Sequence, residues 1–147
     1  MGKIMILKIP MFGNFFKDMD IAVNRNSRIA SYKAFLRAGT DIEKGRSVVM
    51  FPEGTIAPDA PIMKRFKNGP FKLAIEKQTP IVPIIFLTNY KRLPSKNNFY
   101  KYGGPGIAKI VIHNPINTEG MVNDDVDSLK KQVRSIISNT IAEYENN

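Results

Sequence analysis

The run Ser47-Val48-Val49-Met50 leads straight into Phe51-Pro52-Glu53-Gly54-Thr55, and this junction constrains the fold more than any other feature of the chain. A short apolar, β-branched run reads as a strand, here Ser47 to Phe51. Pro52 has no N–H to give a ladder, so it closes the strand. Gly54 lets the backbone come close to a ligand. Glu53 is thereby carried to the carboxyl end of a strand, where open α/β sheets bind their ligands.

The rest of the chain repeats the strand–helix alternation. The segment from Lys3 to Lys17 reads as two short helices broken at Pro10 and Gly13, and Ile21 to Arg25 as a short strand. Ser27 is placed to cap a helix running to about Lys44, with Ile29, Tyr32, Leu36 and Phe35 on its inner face and Gly45 ending it. Gly69-Pro70 opens a second helix that carries Phe71, Leu73, Ala74 and Ile75. Ile81 to Leu87 is almost wholly apolar, as suits a central strand covered on both faces. A basic loop, a strand from Ile107 to Ile112, and a helix capped by Asp124 or Asp125 complete the chain. Val126, Leu129, Val133, Ile136, Ile137 and Ile141 form the apolar stripe of that last helix. The expected fold class is therefore α/β, a mainly parallel central sheet flanked by helices.

At 147 residues the chain is expected to form a single domain, 1–147. It has no cysteine, which removes disulfides and thiolate metal sites and fits a reducing compartment. No metal site is expected. No run approaches the roughly 18 apolar residues of a membrane span, and no secretory cleavage site is recognisable. The formal charge is +9, which favours anionic partners: nucleic acid, lipid headgroups or phosphorylated substrates. The aromatic residues fall in apolar runs and are not interleaved with basic ones, so no nucleic-acid partner is expected.

Phe66-Lys67-Asn68-Gly69 lies beyond Glu53 and leads into the second helix. A lysine beside a helix N-terminus brings an ammonium and free N–H groups to one place. Arg25, at the end of the earlier strand, can add a planar bidentate clamp on a phosphate. The residues suggest a phosphate pocket built from Arg25, the Gly54–Thr55 backbone and Lys67.

With these blocks in place the chain resembles the glycerol-phosphate acyltransferase superfamily, most closely the 1-acylglycerol-3-phosphate (lysophosphatidic acid) acyltransferases. Ile21–Arg25 matches that family's second block, a short strand ending in Arg. Phe51–Thr55 matches the third block in full, with Phe66–Gly69 as its downstream Phe-Lys-x-Gly. Pro80–Pro83 matches the fourth, and Lys8–Gly13 resembles the segment ahead of the second block. The resemblance implies transfer of a fatty acyl group from acyl-CoA or acyl-carrier protein to lysophosphatidic acid. It implies no cofactor beyond the thioester donor, acyl-carrier protein as a further partner, and a peripheral seat on the cytoplasmic face of an anionic membrane. The implied substrate-binding residues are Arg25, Glu53, Gly54, Thr55 and Lys67, with Glu53 supporting the site and not serving as the base.

Ile56 stands where many members carry Arg, and Asn24 where Asp is common. The larger departure is the first block, His-x4-Asp, whose His acts as general base and whose Asp orients it. This chain has one histidine, His113, and Thr118 stands five residues on. His113 follows the fourth block and reads as a strand-end residue; no catalytic residue is assigned within this chain. The expectation is a carboxy-terminal part of a longer acyltransferase, with the N-terminal part of the fold missing and little activity alone. The alternative is a noncatalytic binding protein for anionic lipid or phosphate ligands. The apolar stripe Ile4, Ile6, Leu7, Ile9, Met11, Phe12, Phe15 and Phe16 fits either a core or contact with a bilayer. Loss of the first block is expected to bare an edge or an apolar face and to leave the chain marginally stable or self-associating.

Overall fold

A computed structural model of the chain describes residues 2–3, 22–23, 27–55, 60–92 and 104–146. The chain divides into two compact units, Met1–Phe51 and Pro52–Asn147. Among the described residues no helix is long and apolar enough to cross a membrane. The stripe from Ile4 to Phe16 lies outside the described residues.

In the first unit β1 (Gly2–Lys3) pairs in parallel with β2 (Ala22–Val23). Helix α1 (Arg28–Glu43) follows. Ser27 has extended backbone, and its Oγ accepts a hydrogen bond from the Ala30 amide at 3.2 Å, which satisfies one of the orphan donors of the first turn. Past the other end, Gly45 takes φ +76, as expected of a residue that turns the chain away from a helix.

The inner face of α1 differs from the expected one. Ile29, Tyr32 and Leu36 are exposed, and Ala34 and Ala38 are buried. Those two alanines stand four apart on one side of the helix, where small side chains allow close approach. A reading by bulk alone looked to the wrong face. Ser47 to Phe51 forms no ladder among the described residues, and Val49 and Phe51 are exposed, so the expected strand there is not made. The run has strand-like composition, but composition alone does not form a ladder, since pairing depends on where other segments lie.

The second unit is organised by α2 (Gly69–Glu76) and α4 (Val126–Glu145). Pro70 opens α2, where its missing N–H costs nothing. Phe71 and Ile75 of α2 pack with Phe66 against Val126, Leu129 and Val133 of α4, and Met63, Ile81, Ile116, Met121 and Ile137 close around them. The rings of Phe66 and Phe71 stack with centroids 6.3 Å apart. All four apolar residues expected on α2 are buried. On α4 the first three of the stripe are buried and Ile136, Ile137 and Ile141 are half-buried. Asp125 precedes α4 without capping its amides; its carboxylate accepts instead from the Val122 amide at 2.8 Å. Gln78 takes φ +46 just past α2. Its amide donates to the Ile75 and Met121 carbonyls and accepts from the Gly120 amide, tying the end of α2 to the turn before α4.

Strand β3 (Ile84–Phe86) precedes a short helix α3 (Asn89–Arg92) and pairs with β4 (Ile110–Ile112). The pairing is antiparallel, with Ile84 opposite Ile112 and Phe86 opposite Ile110. It extends through an isolated bridge from Ile81 to Ile116. Thus the described strands form one parallel and one antiparallel pair, in place of the mainly parallel central sheet that was expected. The expectation of a β3 covered on both faces is also corrected. Pro83, Ile85 and Leu87 point inward, but Ile84 is 45%, Phe86 47%, Ile110 50% and Ile112 67% exposed. Side chains alternate along a strand, so a continuous apolar run always has a second apolar face. Among the described residues nothing buries it.

Candidate functional site

Glu53 and Lys67, fourteen residues apart in sequence, lie on segments that meet in the second unit. The Lys67 amide donates to the Pro52 carbonyl at 2.8 Å. Gly54 has φ +67, a conformation that L side chains rarely adopt. The Lys67 side chain lies directly over it. A Cβ at position 54 would stand 3.0 Å from both Cε and Nζ of Lys67 and 3.1 Å from Cδ. Gly54 is thus required twice, for its backbone angle and for the room it leaves the lysine.

Glu53 and Thr55 flank Gly54 in the same turn; Glu53 is half-buried and Thr55 exposed. Lys67 is exposed at the foot of α2, whose first turn carries no acidic residue and whose Asn68 makes no side-chain cap. The N-terminal end of the helix is therefore left electropositive beside the ammonium. Of the sequence-derived site residues, the structure brings Glu53, Gly54, Thr55 and Lys67 together. Arg25 lies outside the described residues.

The Lys67 loop is also held by α4. Arg134 lies over the Phe66 ring, 5.3 Å from its centroid, and donates to the carbonyls of Met63 and Lys64. Lys130 donates to Asn68 Oδ1 at 2.8 Å and also pairs with Asp127. The hydrogen bond from Lys130 holds the Asp127 carboxyl below its usual range, and the charges of Lys131 and Arg65 add to this. Sequence reasoning missed these residues because α4 was scanned for its apolar stripe. The signal was present as three cations at 130, 131 and 134, which share one side of a helix.

His113 has a different setting. Its Nε2 stands 2.8 Å from Thr140 Oγ1. The Thr140 hydroxyl gives its single proton to the Ile136 carbonyl at 2.9 Å, so it accepts from an Nε2–H of His113. The histidine thereby ties β4 to α4. Thr118 is fully buried, and its hydroxyl reaches the carbonyls of Ala74 and Thr79. Among the described residues no group of three or more His, Asp or Glu side chains could hold a metal ion.

Comparison with known proteins gives a consistent result. Residues 1–87 match the family model described as Acyltransferase. Over 87 residues the chain is 37% identical to the mouse 1-acyl-sn-glycerol-3-phosphate acyltransferase alpha, covering 59% of this chain and 30% of that protein. Over 146 residues it is 29% identical to the 1-acyl-sn-glycerol-3-phosphate acyltransferase of Escherichia coli K12, covering 98% of this chain and 57% of that one. The crystal structure of the 1-acyl-sn-glycerophosphate (LPA) acyltransferase PlsC from Thermotoga maritima has the same fold. Its TM-score is 0.78 at 24% identity, over 99% of this chain and 56% of that one. The chain thus spans between about a third and somewhat over half of the length of these proteins.

Proposed function

The chain belongs to the acyltransferase family, and on that premise we propose that it forms the acceptor-binding part of a 1-acylglycerol-3-phosphate O-acyltransferase of phospholipid synthesis. The acceptor phosphate sits against the Lys67 ammonium and the free end of α2. Arg25 is assigned to the same phosphate, and the turn Glu53-Gly54-Thr55 positions the glycerol. The free hydroxyl then attacks the carbonyl carbon of an acyl-CoA or acyl-carrier-protein thioester. A base takes the hydroxyl proton, the tetrahedral oxyanion collapses, the C–S bond breaks, and the thiolate leaves and is protonated. The family's base belongs to a His-x4-Asp block, which this sequence does not contain. This part of the reaction is assigned to a segment supplied with the chain, at the cytoplasmic face of an anionic membrane. The mainly parallel sheet expected for the domain is proposed for that completed assembly.

The observation that supports the reading is the packing of Lys67 over Gly54, which brings the ammonium of the downstream segment onto the Phe51–Thr55 turn. Its test is the binding of a short-chain lysophosphatidic acid to the chain. Salt-sensitive binding that is weakened at least about tenfold by Lys67→Ala supports it, as loss of one charge-assisted phosphate contact demands. Binding that ignores Lys67 refutes it.

One observation favours the second reading, a noncatalytic binder of anionic lipid or phosphate. The chain's single histidine is committed to Thr140. The readings separate on turnover. Activity restored by adding a family segment that bears His-x4-Asp supports the enzyme; phosphate binding without turnover under the same conditions supports the binder.

A further inference from the structure

We propose that the cleft between residues 63–66 and α4 is a second anion site, which receives a phosphate ester of the acyl donor. The inference rests on the acyl-transfer reading above. The cleft has a volume of about 220 Å³ and is lined by Arg65, Phe66, Lys130, Lys131 and Arg134; the aliphatic stems and the Phe66 ring make most of its wall, and four of the five residues carry a positive charge. Lys130 and Arg134 stand four residues apart on the helix, and Lys131 and Arg134 three apart. Like charges at these spacings repel, and a bound anion relieves that repulsion.

Two of the cations are already fixed in place. Lys130 is held by Asn68 and Asp127, and Arg134 by the Phe66 ring and the carbonyls of Met63 and Lys64. Such fixed donors lose little freedom when a ligand arrives. Arg65 and Lys131 are exposed and make no hydrogen bond or ion pair among the described residues, so both can turn onto a ligand. Asp127 is paired to Lys130, whose hydrogen bond is the main cause of its depressed proton affinity, with smaller contributions from the charges of Lys131 and Arg65.

Position and shape narrow the ligand. Lys130, one wall of the cleft, reaches Asn68, the residue next to Lys67, so the cleft and the Lys67 loop share a boundary. A reaction between two phosphorylated substrates needs both anchored within reach of each other. A concave cleft with Phe66 at its floor fits a discrete phosphate ester, which an Arg fork can grip, better than it fits a flat bilayer surface. The shared chemistry is a phosphate ester of the acyl donor, borne either by the nucleotide part of a coenzyme thioester or by an acidic carrier protein.

The experiment uses the full chain, its Arg65→Glu/Lys131→Glu variant and its Lys67→Ala variant. Titration calorimetry at low salt measures adenosine 3′,5′-bisphosphate, holo acyl-carrier protein and a short-chain lysophosphatidic acid in turn. The expected result is that the bisphosphate or the carrier binds, and that the double variant weakens it by about tenfold or more while leaving lysophosphatidic acid unchanged. Lys67→Ala should do the reverse. Which probe binds identifies the source of the phosphate. The proposal is overturned if neither probe binds, or if the double variant binds as the parent does. If lysophosphatidic acid still binds in that case, the acceptor reading stands alone. Binding to phosphatidylglycerol vesicles that is lost in the double variant, with neither soluble probe bound, also overturns it and assigns the patch to a membrane.

Discussion

Gly54→Ala isolates the physics of the acceptor corner. At φ +67 an L-residue pays about 1–2 kcal/mol relative to glycine, so the variant should unfold more readily by about that amount. The new Cβ would also stand 3.0 Å from Lys67 Cε and Nζ. The lysine side chain is flexible and exposed, so moving it costs little stability, but it carries the ammonium away from the turn. One charge-assisted contact to phosphate is worth about 1.5–3 kcal/mol, so the displaced lysine should cost about ten- to a hundredfold in phosphate affinity. The assay is a double-mutant cycle of Gly54→Ala and Lys67→Ala, read by thermal melting and by lysophosphatidic acid titration. If Gly54 acts through Lys67, the double variant binds no more weakly than Lys67→Ala, while the melting penalty of the alanine persists. Additive losses in affinity, or an unchanged affinity in Gly54→Ala, would refute the reasoning.

Phe71 is fully buried in the α2–α4 core, and Phe71→Ala should cost about 3–5 kcal/mol in denaturant unfolding; a loss under 1 kcal/mol would mean the core is not assembled as described. Thr118→Val removes the hydroxyl whose single proton serves the Thr79 carbonyl, and should cost about 1–3 kcal/mol while leaving phosphate binding unchanged. The folded-state pKa of Asp127 is depressed by Lys130, so its contribution is fully present above the ordinary aspartate range and is lost as pH falls through the depressed value. Asp127→Asn should therefore flatten the acid limb of the stability curve, and equal acid limbs in parent and variant would count against the pair. The bare β3–β4 face should bind a hydrophobic dye and promote self-association, both reduced by Phe86→Lys, as dye titration and sedimentation can check.

What the sequence revealed follows from which signals are local. Ser27 as a cap, Gly45 as a stop, Pro70 at the start of α2 and the apolar set of α2 are decided within a turn or two of chain, and all are found in place. The meeting of Gly54 with Lys67 was suggested by residue chemistry and by the family pattern, while the twelve intervening residues set no distance. Strand pairing is non-local by nature. The composition of Ile81–Leu87 is the same whether one face or both are covered, and whether Ile110–Ile112 runs with it or against it. The bare face carries Ile84, Phe86, Ile110 and Ile112, four large apolar residues that an isolated domain gains nothing by exposing. Among the described residues nothing covers them, and no local pattern in the sequence distinguishes that face from the buried one. The basic cluster on α4 escaped for the opposite reason. Lys130, Lys131 and Arg134 read as an ordinary solvated helix face until Arg65, some sixty-five residues earlier, and the ring of Phe66 are folded against them. Electrostatic sites assembled across such separations have no period for a sequence to display.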